Sequence, residues 1–243
     1  MVEIKIHKFK DMDLRGATIV DGFPTVGLVS TIAANYLIGA LNLDQISALD
    51  SPDFPAVSMV YASKPKFPAR IYADEKSKVA VFLSEFTPTP YLARAIAKTI
   101  LEWAIEHKCK RIVIPEGLSV SKKDEKLDVY CVGSTDSARA DLKKYQIKQL
   151  ETGIVTGVSG VLLNEGRRAN FDVISLFAEV RPDMPDARAA ARVIEVIDLF
   201  IPALKIDVTP LYEEAERIEK YLRVLREHSK PAAEPTYAPQ MYG

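Results

Sequence analysis

Short β-branched runs alternate with longer stretches of helical periodicity through most of this chain, the pattern of a parallel sheet covered by helices. "ATIVDG" (Ala17 to Gly22) reads as a buried strand. In the "PTVGLVSTIAANYLIGAL" that follows, Val29, Ile32, Ala33, Tyr36, Leu37 and Ala40 stand at helical spacing behind a capping Thr25. "DQISALD" is a further strand, and "ARIYAD" with "KVAVFLSEF" forms a hairpin turning at Lys76 to Lys78. In "TPTPYLARAIAKTILEWAIEHK", Thr89 suits the N-cap and Pro90 the first helical position, where a missing N–H costs nothing. Leu92, Ile96, Ile100 and Trp103 then share a face. "RIVIPEG" is a strand ending at Gly117, "KLDVYCVG" another ending at Gly133, and Ser134 to Tyr145 a short exposed helix. "TGIVTGVSGVLLNEG" begins as a strand and becomes a helix, with Gly157 and Gly160 permitting a tight turn. "FDVISLFAEV" is a long buried strand, and "PDMPDARAAARVIEVIDLFI" a helix that sends Val193, Ile194, Ile197 and Phe200 into the core. The expected fold is α/β: a mostly parallel central sheet flanked by helices, occupying residues 1–208.

Beyond this body the pattern changes. Residues 209–228 read as a C-terminal helix in which Leu211, Ala215, Ile218, Leu222 and Leu225 repeat at alternating spacings of four and three. Glu213 with Arg217, Glu216 with Lys220 and Glu219 with Arg223 add pairs four apart in the favourable order. That stripe either packs back on the same domain or meets another subunit. Residues 229–243 contain Pro231, Pro235 and Pro239 and are expected to form a flexible, extended arm. At about 3.1 Å per residue in polyproline II form, such an arm reaches on the order of 40 Å. It closes on Met241, Tyr242 and Gly243.

Composition removes several function classes. The 32 Lys and Arg balance 33 Asp and Glu, so no basic excess drives nucleic-acid or membrane binding. Cys109 and Cys131 are the only cysteines, too few for a disulfide framework, and a reducing, cytoplasmic compartment is expected. The start "MVEIKIHKFK" has no apolar core of a signal peptide, and no run approaches a membrane span. The expectation is a protein neither secreted nor membrane-bound.

No catalytic constellation emerges. The "GFPTVG" loop (Gly22 to Gly27) joins a strand to a helix, yet it lacks the third glycine of a dinucleotide fingerprint. Leu28 and Val29 stand where a P-loop needs Lys and Ser or Thr. Tight packing explains its glycines. "GVSG" is not a nucleophile elbow, since the glycines are wrongly spaced about Ser159. His7, His107 and His228 each have a structural reading, and no His, Cys, Asp or Glu spacing resembles a metal site. Lys108 and Lys110 flank Cys109 and could lower its pKa, but no base accompanies it. Glu85 and Glu116, both at strand ends, form the best carboxylate pair for acid–base work, should the chain be a hydrolase or a nucleoside-binding enzyme with its site at the C-terminal edge of the sheet.

Together "DGFPTVGLVSTIAANYLI", "LEWA", "PEGL", "TGVSGVLL", "AEVRPDMPDARAA" and "EEAERIEKYL" resemble the proteasome assembly chaperone family, in particular archaeal members related to the second eukaryotic chaperone. The resemblance runs from about residue 15 to residue 225. It implies an α/β body similar in topology to nucleoside phosphorylases and hydrogenase-maturation peptidases, with no catalytic residue, no metal and no cofactor. It also implies a use for the end of the chain. Met241, Tyr242 and Gly243 match the hydrophobic, tyrosine, any-residue ending of proteasome activators, which enters pockets between α-subunits of the proteasome core. Met241 would supply apolar contact, Tyr242 would press on the gate, and the Gly243 carboxylate would meet a lysine. Several weakly binding tails on one homo-oligomer, taken as a tetramer, would act together.

Overall fold

The computed structural model describes residues 2–120, 128–180, 184–201 and 205–228, with backbone alone at 218, 219 and 221–228. In chain order its elements are β1 (Lys5–Lys8), β2 (Thr18–Gly22), a single 3-10 turn (Val26–Leu28), α1 (Val29–Ala40), β3 (Asp44–Asp50), β4 (Met59–Tyr61), β5 (Lys64–Lys66), β6 (Ala69–Asp74) and β7 (Val79–Ser84). There follow α2 (Pro90–Glu106), β8 (Arg111–Ser119), β9 (Val129–Gly133), α3 (Asp136–Lys144), β10 (Lys148–Gln149), α4 (Gly157–Ala169), β11 (Val173–Val180), α5 (Ala187–Phe200) and α6 (Thr209–His228). Among the described residues, nine strands form one mixed sheet in the order β1-β3-β6-β7-β2-β8-β11-β9-β10, while β4 and β5 make a separate hairpin. The central four strands, β7, β2, β8 and β11, are mutually parallel. Antiparallel pairing brings in β1, β3 and β6 on one side and β9 on the other.

The central strands are apolar on both faces because helices cover both, as parallel sheets require. Strand alternation divides the side chains cleanly. Val20, Val81, Val113 and Leu176 pack with α1, α5 and α3; Ile19, Phe82, Ile112 and Ile114 pack with α2 and α4. The expected stripe of α2 is buried at Leu92, Ile96, Ile100 and Trp103, with Phe82 edge-on to Trp103 at 5.2 Å. Val193, Ile194, Ile197 and Phe200 are buried on α5. Leu211 and Ala215, which open the stripe of α6, are buried with α5 in the same core, so this helix starts out packed on its own body.

Three local expectations are corrected. The stretch before α4 is not a strand: pairing with β9 stops after Gln149, and Ile154 is 93% exposed. A short β-branched run carries no direction of burial by itself, and here the chain leaves the sheet edge to reach the start of α4. Strand β8 continues past Gly117 to Ser119 because β11 pairs with it throughout. Helix α1 begins at Val29 rather than directly after Thr25, since Gly27 (φ 67°) and Leu28 (φ 52°) interrupt it in left-handed conformation. Thr25 still reaches the first turn, where its hydroxyl oxygen accepts from the Ser30 N–H at 3.4 Å.

Candidate functional site

Alternation along two neighbouring parallel strands places two acids on one face. Ile19 and Ile112 are register partners on the α2/α4 side, so two-residue steps put Asp21 of β2 and Glu116 of β8 on that side too, near the C-terminal ends. There a cleft of about 690 Å³ opens, with Phe23, Pro24, Val26, Pro88 and Val158 as apolar walls and both carboxyl groups in its lining. Thr87, Arg94, Thr156 and Ser159 add polar atoms. Its place outside the carboxyl ends of a parallel sheet is where open α/β folds bind ligands.

The acids are deep. Asp21 is 1% exposed and Glu116 9%. Asp21 accepts the Phe23 N–H at Oδ1 (3.2 Å), and its Oδ2 has no hydrogen-bond partner among the described residues. Glu116 accepts the hydroxyl of Ser159, which stands in the first turn of α4. Burial pushes Asp21 up to about 7 against the opposing pull of the Phe23 bond. Glu116 also rises to about 7, chiefly through burial, with the Ser159 bond lowering it and the neighbouring Asp21 charge raising it. Near neutral pH the two together hold and release protons.

Glu85, expected to pair with Glu116, does not reach this cleft. It lies just beyond β7, which β2 separates from β8, and turns toward β6. There its Oε1 accepts from Arg70 Nη2 at 2.5 Å and from the Tyr61 hydroxyl at 2.8 Å. Asp21 is the true neighbour of Glu116. The one signal available for it was an acid inside the otherwise apolar strand "ATIVDG".

The remaining sequence candidates fall into structural roles. A Cβ on Gly22 would lie 2.4 Å from Ala34 Cβ, and a Cβ on Gly27 3.2 Å from Val180, so that loop is closely packed. Gly157 has φ +69°, and a Cβ on Gly160 would sit 2.3 Å from the Val155 carbonyl oxygen, so the expected tight turn into α4 exists without the strand. Burial pushes the Cys109 and Cys131 thiols up to about 12, so Lys108 and Lys110 do not activate Cys109. His7 stacks on Phe67, and His107 packs on Trp103 with Nδ1 2.9 Å from the Trp103 carbonyl oxygen. His228 lies where α6 is described by backbone alone, and Met241, Tyr242 and Gly243 lie outside the described residues. Among the described residues no group of three or more His, Cys, Asp and Glu could hold a metal, and no helix is long and apolar enough to cross a membrane.

The sequence pattern of the PAC2 family matches residues 19–226. This chain belongs to the PAC2 family. The body of this PAC2 protein superposes on Pyrococcus furiosus PbaA, an archaeal homolog of proteasome-assembly chaperone, with a TM-score of 0.84 and 31% identity, covering 93% of this chain and 92% of that one. P. furiosus PbaB, an archaeal proteasome activator, shares the fold at a TM-score of 0.80 and 24% identity, over 93% of this chain and 100% of that one. The uncharacterised Methanocaldococcus jannaschii protein MJ0106 is 27% identical over 216 residues, which is 89% of this chain and 88% of its own.

Proposed function

We propose that this PAC2 protein is an ATP-independent proteasome activator or assembly chaperone, acting in the cytoplasm as a homo-oligomer. In this reading residues 1–208 are the chaperone-type body, 209–228 the helix that organises copies or projects the arms, and 229–243 the docking arm. Met241, Tyr242 and Gly243 enter pockets between adjacent α-subunits of the proteasome ring. The observation that carries it is the likeness to PbaA, at 31% identity over nearly the whole body. Capture of a terminal carboxylate is a recognised binding mode, and the charge-assisted hydrogen bond behind it is available only at a chain end. Docking one arm costs conformational entropy, whereas arms on a single oligomer search at millimolar effective concentration once the first is bound. The missing P-loop residues at Leu28 and Val29 support an action without nucleotide hydrolysis.

The test compares the full chain with one ending at Pro239 for binding to the assembled α-ring, by pull-down or electron microscopy. Loss of binding on truncation is expected, and equal binding defeats the docking reading. Tyr242→Ala should abolish stimulation of peptide hydrolysis while leaving the body folded.

The Asp21 and Glu116 cleft favours a second reading, an enzyme working at the C-terminal edge of the sheet. Saturable turnover of a small substrate by the chain ending at Pro239 would establish it.

A further inference from the structure

We propose that the cleft between the starts of α2 and α4 binds a small organic cation, a primary ammonium or amidinium on an apolar skeleton, with its charged head between Asp21 and Glu116. This stands whether or not residues 241–243 dock on anything.

The argument begins with an imbalance of charge. A carboxylate taken out of water costs several kcal/mol unless a cation or hydrogen bonds replace the lost solvent. Elsewhere buried charge is paired internally: buried Arg70 meets the part-buried Glu85 at 2.5 Å, and buried Arg111 meets Asp141 of α3 at 2.8 Å. Asp21 and Glu116 make no ion pair with any described residue, and Asp21 Oδ2 is left without a donor. Arg94 lines the same cleft, yet its side chain is 78% exposed and its guanidinium faces Glu165 at 3.9 Å. The floor therefore offers two acceptor groups to a cation that no described residue supplies.

The walls decide what kind of cation. Phe23, Pro24, Val26, Pro88 and Val158 present carbon, and 690 Å³ falls in the range of sites that enclose small molecules. Two helices begin here, and neither Thr89 before α2 nor Thr156 before α4 makes a side-chain capping bond. Helices α3 and α5, whose starts lie outside the lining, are capped by Thr135 and Asp186. The positive ends of α2 and α4 thus face the rim, which repels a bare dication and leaves N–H donors for an acceptor atom on the ligand's outer part. An organic cation suits both ends, with charge at the floor and carbon or acceptor atoms at the rim.

Binding must displace protons. Among the described residues, the titratable or charged groups facing the cleft are Asp21 from β2, Glu116 from β8 and Arg94 from α2. The start of α4 contributes Ser159 and uncharged backbone, and Glu165 farther along it is held by Arg94 and Arg168. A cation therefore binds the ionised floor, and affinity grows with pH.

The test follows the side-chain carboxyl resonances of Asp21 and Glu116 in the full chain by carbon-13 NMR at pH 8. Phenethylamine and benzamidine are added, with phenethyl alcohol and benzamide as uncharged counterparts and Mg²⁺ as a bare cation. The charged probes should give saturable shifts at both carboxyls and bind at least tenfold more tightly than their uncharged counterparts. Their affinity should fall about tenfold for each pH unit below about 7, as one proton must leave before the cation enters. Asp21→Asn should weaken both by tenfold or more; if that variant fails to fold, Glu116→Gln answers the same question. Equal binding of charged and uncharged probes, a response to Mg²⁺ alone, or carboxyl resonances that do not move at pH 8 would overturn the assignment.

Discussion

Two corners of one sheet hold acids and treat them in opposite ways. Beyond β7, Glu85 is met by Arg70, which is 1% exposed, donates also to the Phe67 carbonyl at 2.9 Å and lies 5.4 Å from the Tyr61 ring centroid and 5.8 Å from that of Tyr72. One and two strands away, Asp21 and Glu116 lie deeper, with a serine hydroxyl, one backbone N–H and, among the described residues, no cation. The first corner is closed and serves the fold. The second is open, and its acids are held near their titration midpoint, which is where perturbed groups gather at functional sites.

The sharpest way to break this contrast is to empty the closed corner. Arg70→Ala should destabilise by about 3–5 kcal/mol, since removing one partner of a buried pair strands the other; urea unfolding at neutral pH measures it. A loss below about 1 kcal/mol would make both corners alike.

A smaller effect belongs to the open corner and depends on pH. Asp21 and Glu116 take up protons more readily folded than unfolded, because burial raises both to about 7. The native state therefore binds more protons between about pH 4 and 7, and stability falls as pH rises through that window, then levels off. For Asp21 the loss is on the order of 2–4 kcal/mol. Urea midpoints at pH 5 and pH 8 should differ less in Asp21→Asn than in the parent chain, and an unchanged difference would show that Asp21 is not strained.

The smallest effect compares the helix starts. Thr135 accepts the Ala138 N–H at 3.0 Å, so Thr135→Ala should cost about 1 kcal/mol. Thr156→Ala at the cleft should cost close to nothing in thermal or urea unfolding, because no side-chain cap is lost there.

Legibility in the sequence followed the range of the interactions. Helices α2 and α5 were visible because an apolar stripe is written within a few turns, and the β6–β7 hairpin because its two strands flank one short turn. The antiparallel entry of β9 beside β11 was not visible, since it depends on partners more than forty residues apart by register, Cys131 with Leu176 for example. The exposed Ile154 shows why "TGIV" misled: β-branching favours a strand but cannot say whether a sheet edge is within reach. Glu116 was found and its partner was not, because strand order decides which acids meet, and strand order is a property of the whole sheet. Asp21 carried a local signal, a charge in a strand buried at every position, which becomes meaningful once it is known that no described residue opposes that charge.

Gly117 has a consequence of its own. A Cβ there would stand 2.1 Å from the carbonyl oxygen of Val26, so the turn bearing Val26 rests directly on the backbone of β8. The seat of the turn that carries Val26, one wall of the cleft, is thus set by an atom that is missing. Adding a methyl group at that one spot should displace this wall. Among relatives of this protein, the residue at that seat is the place to look when asking which of them share the same wall.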